Sequence, residues 1–176
     1  MPDAVLRVHF YNPALDSDGV LNKLVAYADP PYCHCELEFA DGRSCAVYMG
    51  GKTHIKTRLF DARSYDTVSV ACSPSGSARA QQLAVDLVAE GQTFSRRAML
   101  ASKFARFPAP DARRHTCCSK LCAELLREAG ALPPGAAPTR LTPSALHAQL
   151  AARDRIAVVC DSTVIDFRPE DVRKST

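Results

Sequence analysis

The sequence lacks any apolar run long enough to cross a membrane. Its 176 residues contain no stretch of the roughly eighteen consecutive apolar residues that predict a transmembrane helix. The first ten residues also lack the basic start and the long apolar core of a secretory signal. We therefore expect no membrane span and a cytoplasmic location.

The chain also lacks a strong charge of either sign. Its 22 basic and 19 acidic side chains give a net charge of +3, which is too small to predict a nucleic-acid partner. The densest basic segment runs from Arg96 to His115 and carries Asp111 as its one acidic residue. We expect a solvated helix face there, with a basic rim for an acidic protein, a lipid headgroup or nucleic acid as the open alternative.

The eight cysteines lack the spacing of a metal site. No Cys-x-x-Cys pair is present, and Cys33-His34-Cys35 places adjacent ligands on opposite faces of a strand. Without an export signal the thiols are expected to stay reduced and mostly to fill the core. We predict no metal and no cofactor, with a structural zinc as the less favoured alternative.

The remaining patterns predict one α+β domain over residues 1–167 and a charged tail over residues 168–176. A chain with 47% hydrophobic residues can bury an ordinary core, and no hydrophilic linker or internal repeat divides it. Strands are predicted at residues 4–11, 33–40, 43–49, 67–72 and 156–159. Helices are predicted at residues 20–25, at 77–90, from 118 to about 129, and for a short stretch from 143.

The dipeptide Asp41-Gly42 predicts a tight hairpin between the second and third strands. A two-residue turn needs positive φ at both central positions, which Asp and Gly accept. This turn leaves no polar side chain of the third strand beside His34. A loop one residue longer would bring Ser44 or Tyr48 to that face, so Tyr48 is the reserve partner of the histidine.

The second strand carries a candidate general base. Alternation places His34, Glu36 and Glu38 on one face of the strand and its apolar residues on the other. An imidazole beside a carboxylate is what a general base and its orienting partner require. Glu36 is the best local partner of His34.

A later helix supplies a candidate nucleophile. The apolar residues that follow Cys118 recur at helical spacing, so Cys118 is predicted in the first turn, with Thr116 as N-cap and Cys117 pointing elsewhere. Backbone N–H groups and the positive end of the helix dipole lower the pKa of a thiol there, and the thiolate is the nucleophile. A cysteine on a helix and a histidine on a strand also occur by chance, so the residues alone leave both interpretations open.

These features together resemble a known superfamily. The run YCHCELEF at residues 32–39, the glycines that follow it, and Cys118-Ser119 at a helix start resemble the circularly permuted NlpC-type, papain-like superfamily. This group includes YiiX-like proteins and is related to the lecithin:retinol acyltransferase-like enzymes. In its permuted members the histidine strand precedes the cysteine helix, as in this chain. The resemblance covers most of residues 5–150.

The resemblance implies a fold and three residue roles. The implied fold is an antiparallel sheet packed against a helix that carries the cysteine. Cys118 is then the nucleophile, His34 the base that accepts its proton, and Glu36 the group that orients the imidazole. The chain departs from the family pattern at Lys120, where many relatives carry glutamate, and at Phe94, where many carry tyrosine.

The resemblance also implies acyl-enzyme chemistry but leaves the substrate open. We expect a cysteine-dependent hydrolase, a peptidase or amidase, that acts on a peptide, protein or lipid-amide substrate. The alternatives are an acyltransferase or thioesterase on lipid or protein substrates, and a non-catalytic binding module with a papain-like cleft. Many permuted relatives come from bacteria, phages and large DNA viruses, so the expected cytoplasm is that of a bacterium or of an infected host cell.

Overall fold

The larger of the two described sheets is antiparallel and has five strands. The computed structural model describes residues 4–15, 29–103, 113–132 and 141–162. The strands follow the order β4-β3-β2-β1-β5 across the sheet. Their bounds are β1 Ala4–Tyr11, β2 His34–Glu38, β3 Arg43–Ala46, β4 His54–Thr57 and β5 Tyr65–Cys72. The predicted α+β class and the strands β1, β2, β3 and β5 are confirmed, while β4 was not predicted.

Four α-helices lie within the described residues, and three of them pack against this sheet. Their bounds are α1 Pro74–Ala89, α2 Arg96–Lys103, α3 Cys118–Glu128 and α4 Pro143–Ser162. Two short strands, β6 Thr93–Phe94 and β7 His115–Thr116, pair in parallel with each other. None of the helices within the described residues is both long and apolar enough to traverse a bilayer. Arg96, Arg97, Arg113 and Arg114 of the basic segment are exposed, which fits both a solvated face and a basic rim.

Helix ends follow the local chemistry of the sequence. The Ser73 hydroxyl accepts a hydrogen bond from the Gly76 N–H and caps α1, and the Thr142 hydroxyl caps α4 in the same way. The predicted N-cap of α3 is wrong by one residue. Thr116 pairs in β7, so the extended residue before the helix is Cys117.

Alternation along the strands separates two faces of the sheet. Leu6, Val8 and Phe10 of β1 and Cys35 and Leu37 of β2 are fully buried in the hydrophobic core, together with inward residues of α1, α3 and α4. We call the opposite side, which bears the three polar residues of β2, the polar face. The chain after β4 lies against this side, so the polar face is itself largely covered.

The β2–β3 hairpin differs from the predicted two-residue turn. Glu38 lies opposite Ser44, rather than opposite Cys45 as the two-residue turn requires, and Gly42 alone of the turn residues has a positive φ, +80°. The Asp41 side chain accepts a hydrogen bond from the Arg43 N–H at 3.0 Å, which holds the aspartate in a different turn. The loop is therefore one residue longer, and the alternative register, with Ser44 and Tyr48 near Glu36, is the observed one.

The predicted strand at residues 156–159 is wrong, because these residues continue α4. No turn residue interrupts the chain between the start of α4 and this short apolar run, so helix propagation overrides its β propensity. The predicted helix at residues 20–25 and the tail at residues 168–176 lie outside the described residues.

Candidate active site

Cys118 is the first residue of α3 and is held there by the packing of the helix. Leu121, Cys122 and Leu125 are fully buried and fix α3 against β2. Cys118 as a residue is partly exposed, in contrast to the fully buried residues that follow it in α3. The N-terminus of a helix carries a partial positive charge, which favours an anion at this position.

The sulfur of Cys118 lies among hydrogen-bond donors. A hydrogen bond from the Cys35 thiol is the largest cause that holds the pKa of Cys118 well below its usual range. Burial acts in the opposite direction, but the imidazole of His34 adds a second hydrogen bond and an attractive charge, and the backbone N–H of Cys35 adds a third hydrogen bond. The environment therefore favours the thiolate.

His34 begins β2 and carries the complementary charge. Burial lowers the pKa of His34, but hydrogen bonds and charges from Cys118 and Glu36 outweigh it and raise the pKa to about 10. The ring also stacks on Tyr48, with centroids 4.9 Å apart and an interplanar angle of 26°. At neutral pH the favoured state is thus a thiolate–imidazolium pair.

Glu36 lies behind the imidazole and is completely buried. Its Oε1 is 3.4 Å from His34 Nε2 and accepts a hydrogen bond from the Tyr48 hydroxyl at 2.7 Å. The Ser44 hydroxyl reaches the other carboxylate oxygen at 3.5 Å. Burial raises the pKa of Glu36, but the hydrogen bond and charge of His34, with help from Tyr48 and Arg58, lower it below its usual value.

Arg58 is the residue of this cluster that the sequence reasoning missed. It follows β4, and its guanidinium donates to the Glu36 carboxylate and to the Tyr48 hydroxyl. A second nitrogen donates to the Tyr65 hydroxyl at 2.7 Å. Its one local signal in the sequence is the alternation of basic side chains at His54, Lys56 and Arg58, which is too weak on its own to place Arg58 at Glu36.

The structure brings Cys118, His34 and Glu36 together, and the reserve residue Tyr48 joins them. The thiol of the neighbouring residue, Cys117, lies outside this cluster. Cys117 is buried with its sulfur 3.7 Å from the Ser119 hydroxyl, and burial raises its pKa to about 11. Of two adjacent cysteines, only Cys118 lies beside the imidazole.

Lys120, which differs from the residue of the superfamily that the sequence resembles, does not enter the site. Its side chain is only 2% exposed, and Nζ donates to the His115 carbonyl at 3.3 Å and lies 4.0 Å from a carboxylate oxygen of Glu124. The lysine therefore ties the first turn of α3 to β7. Its role is to hold the helix that presents Cys118.

Within the described residues, no group of three or more His, Cys, Asp or Glu side chains is arranged to hold a metal ion. No family model, curated protein or solved structure matches this chain. The function must be argued from the geometry and chemistry of the site.

Proposed function

We propose that the protein is a cysteine-dependent hydrolase that cleaves peptide or other amide bonds through an acyl-enzyme. The observation that carries this proposal is the contact between the Cys118 sulfur and the His34 imidazole, in an environment that favours the charged form of both. Glu36 supports the imidazolium from its other side. Nucleophile, base and orienting group thus stand in the relation that covalent acyl transfer requires.

The first half of the reaction forms the acyl-enzyme. The Cys118 thiolate attacks the substrate carbonyl carbon, and the N–H of Cys118 at the helix start stabilises the oxyanion that develops. When this intermediate collapses, the C–N bond breaks and the His34 imidazolium gives its proton to the leaving amine. Because Nε2 faces Glu36, Nδ1 is the ring nitrogen left for this proton transfer.

The second half releases the acyl group. The neutral imidazole of His34 takes a proton from water, and the resulting hydroxide attacks the thioester carbonyl. Collapse expels the Cys118 thiolate and frees the carboxylic acid. The thiolate–imidazolium pair is then restored, and Glu36 keeps the ring in one orientation throughout.

The chain order and packing support a permuted papain-like fold. The histidine strand β2 precedes the cysteine helix α3, and α3 packs directly against β2. An antiparallel sheet packed against the helix that carries the cysteine is the arrangement that the resemblance implies. This part of the proposal concerns ancestry, whereas the chemistry rests on the site alone.

The proposal is tested by trapping the acyl-enzyme with p-nitrophenyl acetate. We expect a burst of p-nitrophenolate and a protein heavier by one acetyl group, with the acetyl mapped to Cys118 by peptide mass spectrometry. Cys118→Ala should abolish the burst, whereas Cys117→Ser should keep it. An acetyl group on Cys117, or no burst in the wild-type protein, would contradict the proposal. Transfer of the acetyl to an added amine in preference to water would identify an acyltransferase.

A further inference from the structure

We infer that Arg58 is a positioning residue that keeps Glu36 ionised and aligned on His34. This inference rests on the proposed function. Arg58 is held by a set of aromatic residues that we call the aromatic clamp, namely Tyr48, Phe60 and Tyr65. The clamp and Arg58 come from segments that lie on both sides of β2 in the sheet, so they meet only when the sheet is formed.

The contacts of Arg58 are specific to a guanidinium. Its central carbon lies 5.9 Å from the ring centroid of Tyr48 and 5.4 Å from those of Phe60 and Tyr65. One nitrogen donates to both Glu36 and Tyr48, and another donates to the Tyr65 hydroxyl. A planar fork with several donors can satisfy these acceptors at once, whereas a lysine ammonium offers a single point charge.

The charge of Arg58 is needed because Glu36 is completely buried. A carboxylate without a cationic partner in such a place takes up a proton more readily, since burial disfavours its charged form. With Arg58 present, charges alternate along the site: thiolate, imidazolium, carboxylate, guanidinium. Arg58 therefore neutralises the end of this series. Its loss leaves His34 as the cation in direct contact with Glu36, with Lys56 farther off above the Tyr48 ring.

Loss of Arg58 should shift the pH dependence of Cys118 reactivity in one direction. Without Arg58 the pKa of Glu36 rises, so the carboxylate becomes neutral at a higher pH as the solution is acidified. His34 then loses an anion that supports its protonated form, and Cys118 loses the imidazolium that supports its thiolate. The acid limb of Cys118 reactivity should therefore move to higher pH.

The experiment compares Arg58→Met, Arg58→Lys and Arg63→Met with the wild-type protein. Arg63 lies in the same connection but pairs with Asp61 at the surface, so it serves as the matched control. The readout is the rate of Cys118 alkylation by iodoacetamide across the pH range, followed by peptide mass spectrometry, which needs no substrate. Circular dichroism and thermal melting check that each variant is folded.

We expect the acid limb of Arg58→Met to move up by about one pH unit, which corresponds to about a tenfold loss of rate on that limb. Arg58→Lys should give a smaller shift in the same direction, and Arg63→Met should superimpose on the wild type. If Arg58→Met does not fold, the shift in Arg58→Lys decides the question.

Two other outcomes separate this inference from the proposed function. Unchanged acid limbs in the folded Arg58 variants, with rapid Cys118 alkylation in mildly acidic solution, would overturn the role of Arg58 and leave the proposed function intact. An ordinary thiol profile in the wild-type protein, with a midpoint at about pH 8.5, would overturn both.

Discussion

Two histidine–carboxylate pairs lie side by side on the polar face, and only one of them contacts a thiol in the part of the chain that the structure describes. His9 Nε2 is 2.8 Å from Glu38, closer than the 3.4 Å between His34 Nε2 and Glu36. Nevertheless burial, the largest effect, holds the pKa of His9 below its usual value, whereas that of His34 is raised to about 10. The shorter carboxylate contact is therefore not what charges the imidazole.

The difference lies in the other contacts of each pair. The second ring nitrogen of His9 is hydrogen-bonded to the Thr67 hydroxyl at 2.9 Å, and Arg7 shares Glu38. His34 instead contacts the Cys118 thiol, which becomes an anion as the ring becomes a cation. A histidine and a carboxylate on neighbouring strand positions thus form a neutral, structural contact when they have no other ionisable partner. A third ionisable group, here the Cys118 thiol, is what favours the charged imidazole.

The largest expected effect is the difference in turnover between variants of the two histidines. His34→Gln should lower turnover of an activated ester by about 10,000-fold, because it removes the group that moves the proton. His9→Gln retains a hydrogen-bonding side chain and should change turnover less than about threefold, since His9 touches no reacting atom. Steady-state rates on folded variants measure both. Comparable losses of turnover in the two variants would contradict the assignment of His34 as catalytic and His9 as structural.

The two rings should also titrate in different pH ranges. His34 has a raised pKa of about 10, so it should remain protonated through neutral pH and lose its proton only in alkaline solution. His9 has a lowered pKa, so it should be neutral at pH 7 and gain a proton only below its ordinary value of about 6.5. The acid constants should therefore differ by more than about 1,000-fold, which NMR titration of the ring resonances measures. If both rings titrate near 6.5, the imidazolium is not the resting state of His34.

Replacement of Glu36 should lower turnover more than replacement of Glu38. Glu36→Gln should lower turnover by about 100-fold, because the amide keeps the shape of the side chain but removes the charge that supports the imidazolium. Glu38→Gln is the matched control on the same strand face and should leave turnover within about threefold of the wild type. Measured kcat values compare them. Equal and small effects would assign Glu36 a purely structural role.

The smallest expected effect concerns the neutral partners of each pair. Tyr48→Phe removes the 2.7 Å hydrogen bond to Glu36 and should lower turnover by about three- to tenfold, because Arg58 still pairs with the carboxylate. Thr67→Val removes the partner of His9 and should not change turnover. A loss above about 1,000-fold in Tyr48→Phe would instead give the tyrosine hydroxyl a direct part in the chemistry.

Alternation and helical periodicity suffice to predict much of this site. His34 and Glu36 share a strand face because their spacing is two residues, and Cys118 starts a helix because apolar residues recur after it. Both patterns depend only on residues close together in the sequence, so they can be recognised without knowledge of the tertiary structure. The predicted hairpin failed by one residue because one hydrogen bond of the Asp41 side chain decides its turn type.

Arg58 could not be predicted in the same way. Strand β4 is short, with no buried residue and no alternation of apolar side chains, so its sequence has little strand signal. Its pairing with β3 and the distance of 22 residues from Glu36 to Arg58 are long-range features. The aromatic clamp likewise assembles from separate segments of the chain, whose proximity no single stretch of sequence indicates.

The most direct test of the account is the ionisation of Cys118 itself. The thiolate absorbs in the ultraviolet where the thiol does not, so the difference in absorbance between the wild-type protein and Cys118→Ser follows this one sulfur as the pH is changed. We expect a thiolate signal at neutral pH that persists into mildly acidic solution, because the pKa of Cys118 is held well below its usual range. A signal that develops only around the ordinary thiol value of about 8.5 would contradict the thiolate–imidazolium pair on which the proposed function depends.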